Sequence, residues 1–310
     1  MKQLTRAEKH LYRKFDKIRE REESGANAKR KKSSRAVAKF FSNRLAIVGL
    51  VIFSVIFLAC VFAPLITKYQ AETVDLRNIL KAPSGIHWFG TDKVGRDVFS
   101  RVLYGGRYSI LIASLGALGG AVIGVLLGSY AGYKGGWFDK VFMRIGEALT
   151  SFPTMILNLL FVTIMGRSMR NLIIIFTITG WVGIFRLARA TMLSIREEEY
   201  VQALHAFGLN DAIICFKHML PNALAPIIVN ITINMASMIL EEAALSFLGL
   251  GVPMQIPTWG NILNASQDMY TLEKAWWMWA PVGTTITLFV MSINFIGDGI
   301  RDMTDTSVQG

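Results

Sequence analysis

Glu241 and Glu242 stand side by side in an otherwise apolar stretch. Paired carboxylates are common equipment for acid–base chemistry, so catalysis is the first possibility to weigh. The neighbourhood supplies no His, no metal-ligand spacing and no nucleophile to complete such a site. Adjacent helical residues also point about 100° apart, so the two carboxylates cannot share one task. One of them can face a polar route while the other meets a helix neighbour. The four His are scattered. Cys60 and Cys215 fall in segments expected at different levels of the protein, which argues against a disulfide between them.

A second kind of chemistry is written in two polar registers. Glu147, Ser151, Thr154 and Asn158 follow the spacing i, i+4, i+7, i+11, and so do Asn230, Asn234, Ser237 and Glu241. On a helix each set falls within an arc of roughly 60°. Ile233 and Ile239 are placed on other faces. Polar groups facing lipid would go unsatisfied, so both stripes must face protein or water. Two roles fit: the lining of a solute pathway, or interhelical hydrogen bonds that fix a bundle. For Glu241, a hydrogen bond that holds an outer gate shut is an alternative to contact with a solute.

The elements that position these residues are membrane spans. The chain of 310 residues is 52% hydrophobic, with a mean hydropathy of +0.40, more apolar than an ordinary soluble domain. Uncharged runs at 45–66 and 108–133 each exceed the roughly 20 residues needed to cross a bilayer. The first run lies too far from Met1 to be a cleaved signal and reads as a permanent anchor. Six spans are predicted, at about 45–66, 108–133, 141–165, 171–190, 223–249 and 279–299. The domain reading is a basic cytoplasmic tail (1–44), a membrane domain (45–305) and a short cytoplasmic end (306–310).

Charge orients the spans. Residues 1–44 hold 15 Lys+Arg and 5 Asp+Glu, a net +10 out of the +11 of the whole chain. Such a cluster before a first span holds that end in the cytoplasm and attracts anionic headgroups. Leu11, Phe15 and Ile18 share a helical face suited to the membrane surface, and Ser24–Ser34 reads as a linker. No nucleic-acid-binding module accompanies the tail. By parity both termini and the 191–222 loop are cytoplasmic. The outer 67–107 segment carries seven basic residues, against the rule, beside the acids Glu72, Asp75, Asp92 and Asp97. In the second predicted span Gly116, Gly120, Gly124, Gly128 and Gly132 recur every fourth residue. They form a stripe on which another helix can pack closely or slide. Trp276, Trp277 and Trp279 crowd the outer start of the last span, at headgroup level.

Between the fourth and fifth spans lies a polar helix–turn–helix block, Glu197 to Pro221, EEEYVQALHAFGLNDAIICFKHMLP. Gly208 permits a sharp turn, and Pro221 is expected to end the second helix. The block resembles the cytoplasmic loop of bacterial ABC importer permeases. The pattern there is E-A-A, three residues, Gly, nine residues, Ile, one residue, Leu-Pro. The counterparts are Gln202, Ala203, Leu204, Gly208, His218, Leu220 and Pro221, with departures at 202, 204 and 218. Three more strings look like the dipeptide/oligopeptide/nickel branch and its C-type subunit. They are His87–Arg107 (HWFGTDKVGRDVFSRVLYGGR), Glu242–Gly251 (EAALSFLGLG) followed by Pro257-Thr258-Trp259-Gly260, and Asn294–Asp302 (NFIGDGIRD). The resemblance runs from about Leu45 to Asp305. The end after Asp302 lacks the proline expected of the family.

The resemblance implies an all-α type I importer fold with six spans. A second homologous permease would complete the pore in a bacterial plasma membrane. Two cytoplasmic ATPases binding ATP and Mg would drive it, and an extracellular or periplasmic binding protein would deliver the solute. The chain has no G-x-x-x-x-G-K-[ST] phosphate loop, so it is expected to bind no cofactor and to hydrolyse no ATP itself. Peptides are the expected solute, with nickel, a metal chelate or glutathione as alternatives within the branch. A channel would need no such loop, and an intramembrane enzyme would need a catalytic set that is missing.

Overall fold

The computed structural model describes residues 38–304. The surface helix expected around Leu11, Phe15 and Ile18, the Ser24–Ser34 linker and residues 305–310 lie outside them. The described residues are helical apart from loops and one isolated bridge between Thr91 and Asp97. Five helices are long and apolar enough to cross a membrane, and a bent pair provides a sixth crossing.

Helix α1 (Arg44–Val61) opens the bundle, with the Asn43 side chain capping the N–H groups of Leu45 and Ala46. A short α2 (Ala63–Ile66) follows. Helix α3 (Val98–Lys134) begins earlier than the apolar run that marks it in the sequence, because Asp97 accepts from the Ser100 N–H and caps it there. Helices α4 (Gly136–Thr150) and α5 (Thr154–Met165) form the bent pair, and α6 is Met169–Arg196. Then come α7 (Glu199–Ala206) and α8 (Asp211–Phe247). Two short outer helices, α9 (Trp259–Asn264) and α10 (Met269–Lys274), precede α11 (Ala280–Thr304).

The glycine stripe decides how α3 packs. Gly116 faces Phe176, Gly120 faces Gly180, Gly124 faces Ile184, Gly128 faces Ala188 and Gly132 faces Met192, a constant offset of 60 residues. A methyl group at these positions would lie only 2.5–3.1 Å from its nearest neighbour on α6. The two backbones are therefore in contact, as small-residue stripes allow. Both numbers rise together, so α3 and α6 run parallel. The chain between them must return across the bundle, and α4 with α5 makes that return. Helices α1 and α11 pair the other way: Ala46 meets Gly299, Gly49 meets Phe295, and Asn43 Nδ2 donates to Asp302 Oδ2 at 2.8 Å. Their antiparallel course puts both ends of the described chain on one side. Cys60, near the far end of α1, lies against Gly106 near the start of α3. The end of α3, and the Glu197–Pro221 block beside it, therefore share the side of the termini.

The opposite side carries the loops that flank α3 and α11. Three of the seven basic residues of the 67–107 segment are paired with carboxylates within the protein, which offsets part of its departure from the charge rule. Arg96 pairs with Asp92 at 2.7 Å, Arg101 lies 3.8 Å from the same carboxylate, and Lys93 pairs with Asp268. Lys93, with help from Thr271, holds the Asp268 carboxyl below its usual range. Trp276 and Trp279 are partly exposed, as expected of anchors, but Trp277 has a different role. Its indole N–H donates to the Thr91 carbonyl at 3.2 Å, fastening the two outer loops together.

Candidate functional site

The four polar residues of α8 occupy one face. Asn230, Asn234, Ser237 and Glu241 all line a cavity of about 290 Å³, with Thr154 from α5 and Thr179, Gly180 and Gly183 from α6. A second cavity of about 360 Å³ continues toward the inner side, lined by Ala225, Pro226, Val229 and Arg301 and sharing Asn230 and Ile233 with the first. From Ala225 to Glu241 the lining follows α8 for about 24 Å, most of the hydrocarbon thickness. Ile239 is buried as expected. Ile233 is not on another face: it is 46% exposed and lines both cavities, so the groove is wider than the polar arc.

The third span departs from expectation. Its two halves meet at 88°, so Glu147, Ser151, Thr154 and Asn158 do not share a helical face. Pro153 is the cause. It has no N–H for the carbonyl four residues back, and its ring opposes helix there. The hydroxyls of Thr150 and Ser151 donate to the carbonyls of Gly146 and Glu147, at 2.9 and 2.8 Å, at the last turn of α4. Glu147 belongs to α4, exposed and paired with Arg144 at 2.8 Å. Thr154 reaches the groove. Asn158 is fully buried behind it, donating to Glu241 Oε2 at 2.9 Å and accepting from the Thr179 hydroxyl at 3.0 Å.

The adjacent carboxylates have separate surroundings. Glu242 is fully buried; its two oxygens accept from the Ser109 and Ser246 hydroxyls, each at 2.7 Å. Ser109 in turn accepts from the Trp259 N–H at 3.1 Å. This network joins α3, α8 and α9. Glu241 is the one that faces the groove.

The Glu197–Pro221 block sits on the inner ends of α3, α6 and α8. Val201, Ile214, Cys215 and Met219 are buried against Ala121, Ile184 and Met192, and Leu204, Leu209 and Leu220 pack at the edge of that cluster. Gly208 has φ +74°, which lets the N–H groups of Gly208 and Leu209 bond back to the carbonyls of His205 and Leu204, at 2.9 and 3.3 Å. Asn210 then caps the next helix. Pro221 does not end that helix. Asp211 to Phe247 is continuous, because wide turns at Ile214–Met219, with the Leu220 N–H bonded to the Cys215 carbonyl, accommodate the ring. His218 is half-buried, and its carbonyl accepts from Asn222. Gln202, Ala203, Gly208 and Pro221 point outward. Phe207, absent from the sequence-derived set, is 81% exposed at the tip. An aromatic directly before the glycine turn, at the end of a polar helix, was its available signal.

Six crossings, a polar groove that follows one helix, and a helical loop on the inner ends of three spans define a multi-pass membrane permease. The chain belongs to the family of binding-protein-dependent transport system inner membrane components, whose profile matches residues 124–310. Residues 33–83 match the N-terminal transmembrane domain of oligopeptide transport permease C. The likeness thus extends at both ends beyond the Leu45–Asp305 stretch read from the motifs. The chain is 42% identical over 268 residues to the dipeptide transport system permease protein DppC of Alkalihalophilus pseudofirmus, covering 86% of this chain and 87% of that one. It is 38% identical over 275 residues to the oligopeptide transport system permease protein OppC of Bacillus subtilis, covering 88% and 89%. A third relative, the Bacillus subtilis dipeptide permease DppC, is 37% identical over 267 residues, covering 86% and 83%.

Proposed function

We propose that this chain is the C-type permease subunit of an ATP-driven peptide importer, and that its α8 groove is half of the peptide's route. One observation carries the reading: a polar face about 16 Å long, made by Asn230, Asn234, Ser237 and Glu241, lines one cavity, and a second cavity, lined mostly by apolar residues and sharing Asn230 and Ile233 with it, leads on toward the Glu197–Pro221 block. Amide and hydroxyl side chains suit the amide groups of a peptide. The names of the relatives support the same solute class.

A second homologous permease closes the groove from the other side. Two cytoplasmic ATP-binding subunits, which hold the ATP and Mg, drive the cycle, and an extracellular binding protein delivers the peptide. The chain contributes no ATPase site of its own. The block docks on an ATPase through Gln202, Ala203, Phe207 and Gly208, while its buried face, carrying Val201, Ile214 and Met219, passes the movement to the spans. The basic tail, both termini and the block are cytoplasmic, and the membrane is the bacterial plasma membrane. The test is ATP hydrolysis by the complex assembled with its partner subunits. Peptide-loaded binding protein is expected to raise the rate. An unchanged rate across a panel of di- to pentapeptides contradicts the assigned solute.

A further inference from the structure

Glu241 and Glu242 are neighbours in sequence with different hydrogen-bond environments. Glu242 is closed off, with hydroxyl donors on both oxygens and no exposure to solvent. Glu241 has one hydrogen bond among the described residues, from Asn158, and leaves the remaining capacity of its carboxylate toward the groove. It is the sole ionisable side chain lining the outer part of that groove; Thr150, Thr154, Thr179, Asn230, Asn234 and Ser237 are neutral. It lies six residues before the outer end of α8 at Phe247, or about 9 Å along the axis. A carboxylate at membrane depth is costly and marks substrate or ion pathways, and Glu241 faces a cavity with no cationic partner among the described residues.

We propose that Glu241 is a specificity-determining residue of the route, a carboxylate that receives the protonated amino terminus of the incoming peptide at the outer mouth of the groove. The inference rests on the peptide reading above and adds the contact that distinguishes one end of the peptide. The neutral side chains further in meet backbone amides, which are alike along any peptide. An ammonium–carboxylate hydrogen bond is directional and stronger than a neutral one, so it orients the peptide with its amino end held. The Asn158 amide fixes the carboxylate at the groove wall, and Thr179 in turn fixes Asn158.

The experiment uses the full complex in proteoliposomes, with its binding protein and two labelled tripeptides that differ only by acetylation of the amino terminus. The quantity read is the ratio of ATP-dependent uptake, free over acetylated. The binding protein's own preference is common to every variant and cancels when ratios are compared. Gln in place of Glu241 keeps an acceptor for Asn158 and removes the charge. Glu241→Gln lowers the ratio about tenfold or more, and Glu241→Asp restores most of it. Recovery of the assembled complex is measured alongside. Equal loss for both peptides, or an unaltered ratio, overturns the assignment: the first result makes Glu241 a gate or an assembly contact, the second an uncharged group. Wild-type complex that carries neither peptide contradicts the peptide reading itself.

Discussion

The hydroxyl of Tyr133, at the inner end of α3, lies 2.9 Å from His205 Nε2 on α7, with the two rings stacked 5.7 Å apart. The same hydroxyl donates to Asp211 Oδ1 at 2.9 Å, so its lone pairs accept from a proton on the His205 Nε2. Lys134 also reaches Asp211, at 2.6 Å. One tyrosine thus ties both helices of the Glu197–Pro221 block to the span that carries the glycine stripe. Tyr133→Phe keeps the stacking and removes both hydrogen bonds. It is expected to lower peptide-stimulated ATP hydrolysis several-fold, in line with the roughly 0.5–1.5 kcal/mol net worth of each part-buried hydrogen bond. The ratio of stimulated to basal hydrolysis in the assembled complex is the readout; an unchanged ratio makes the contact incidental.

The parallel contact of α3 and α6 depends on the absence of side chains. A Cβ on Gly128 would lie 2.5 Å from the Phe185 carbonyl oxygen, a backbone atom that cannot move aside alone. Gly128→Leu is expected to cost about 3 kcal/mol, the upper end of the usual overpacking range, and to lower recovery of monodisperse protein from detergent. Gly183, which has open space around it in the groove, tolerates Ala. Thermal unfolding of the two variants separates packing from mere change of composition.

Gly208 is limited by backbone conformation, since a Cβ there would meet nothing within 4 Å. At φ +74° an L residue costs about 1–2 kcal/mol, so Gly208→Ala is expected to fold with a mild loss of stability. Gly208→Val adds bulk to a surface that faces away from the chain, and is expected to abolish stimulated hydrolysis while membrane levels hold. Normal stimulation in the Val variant removes this turn from the docking surface.

Sidedness and groove access are tested with single cysteines in a background without Cys60 and Cys215, both buried and free. A cysteine at Ser84 is expected to react with an impermeant maleimide in intact cells, and one at Ala203 only after lysis; the reverse pattern inverts every statement of sidedness. Cysteines at Asn234 and Ser237 are expected to react with hydrophilic reagents, at rates that change when ATP hydrolysis is arrested. Ile239, fully buried, is expected to stay protected. Equal protection at all three positions in every arrested state reduces the groove to a packing seam.

Much of this was legible in the residues. The stripe on α8 survives as a groove face because no residue between Asn230 and Glu241 interrupts the helix. Gly208 marked its turn because no other residue type adopts that conformation freely. The two prolines misled in opposite directions. Pro153 sits where no wide turn absorbs it, and the span breaks; Pro221 follows the wide turns at Ile214–Met219, and the helix continues. Local sequence does not say which will happen, since the outcome depends on what packs around the freed carbonyls. The separate surroundings of Glu241 and Glu242 were also out of reach, because Ser109 lies on another helix.

Whether the chain forms part of an ATP-driven peptide route is tested most directly by accumulation of a labelled peptide inside proteoliposomes. These contain the full complex, with ATP supplied on the side of the ATP-binding subunits. Uptake is expected to run against a concentration gradient, to depend on ATP hydrolysis and on the binding protein, and to be lost in the Gly208→Val complex. Peptide that merely equilibrates across the membrane without ATP, or uptake that persists in the Gly208→Val complex, would contradict that role.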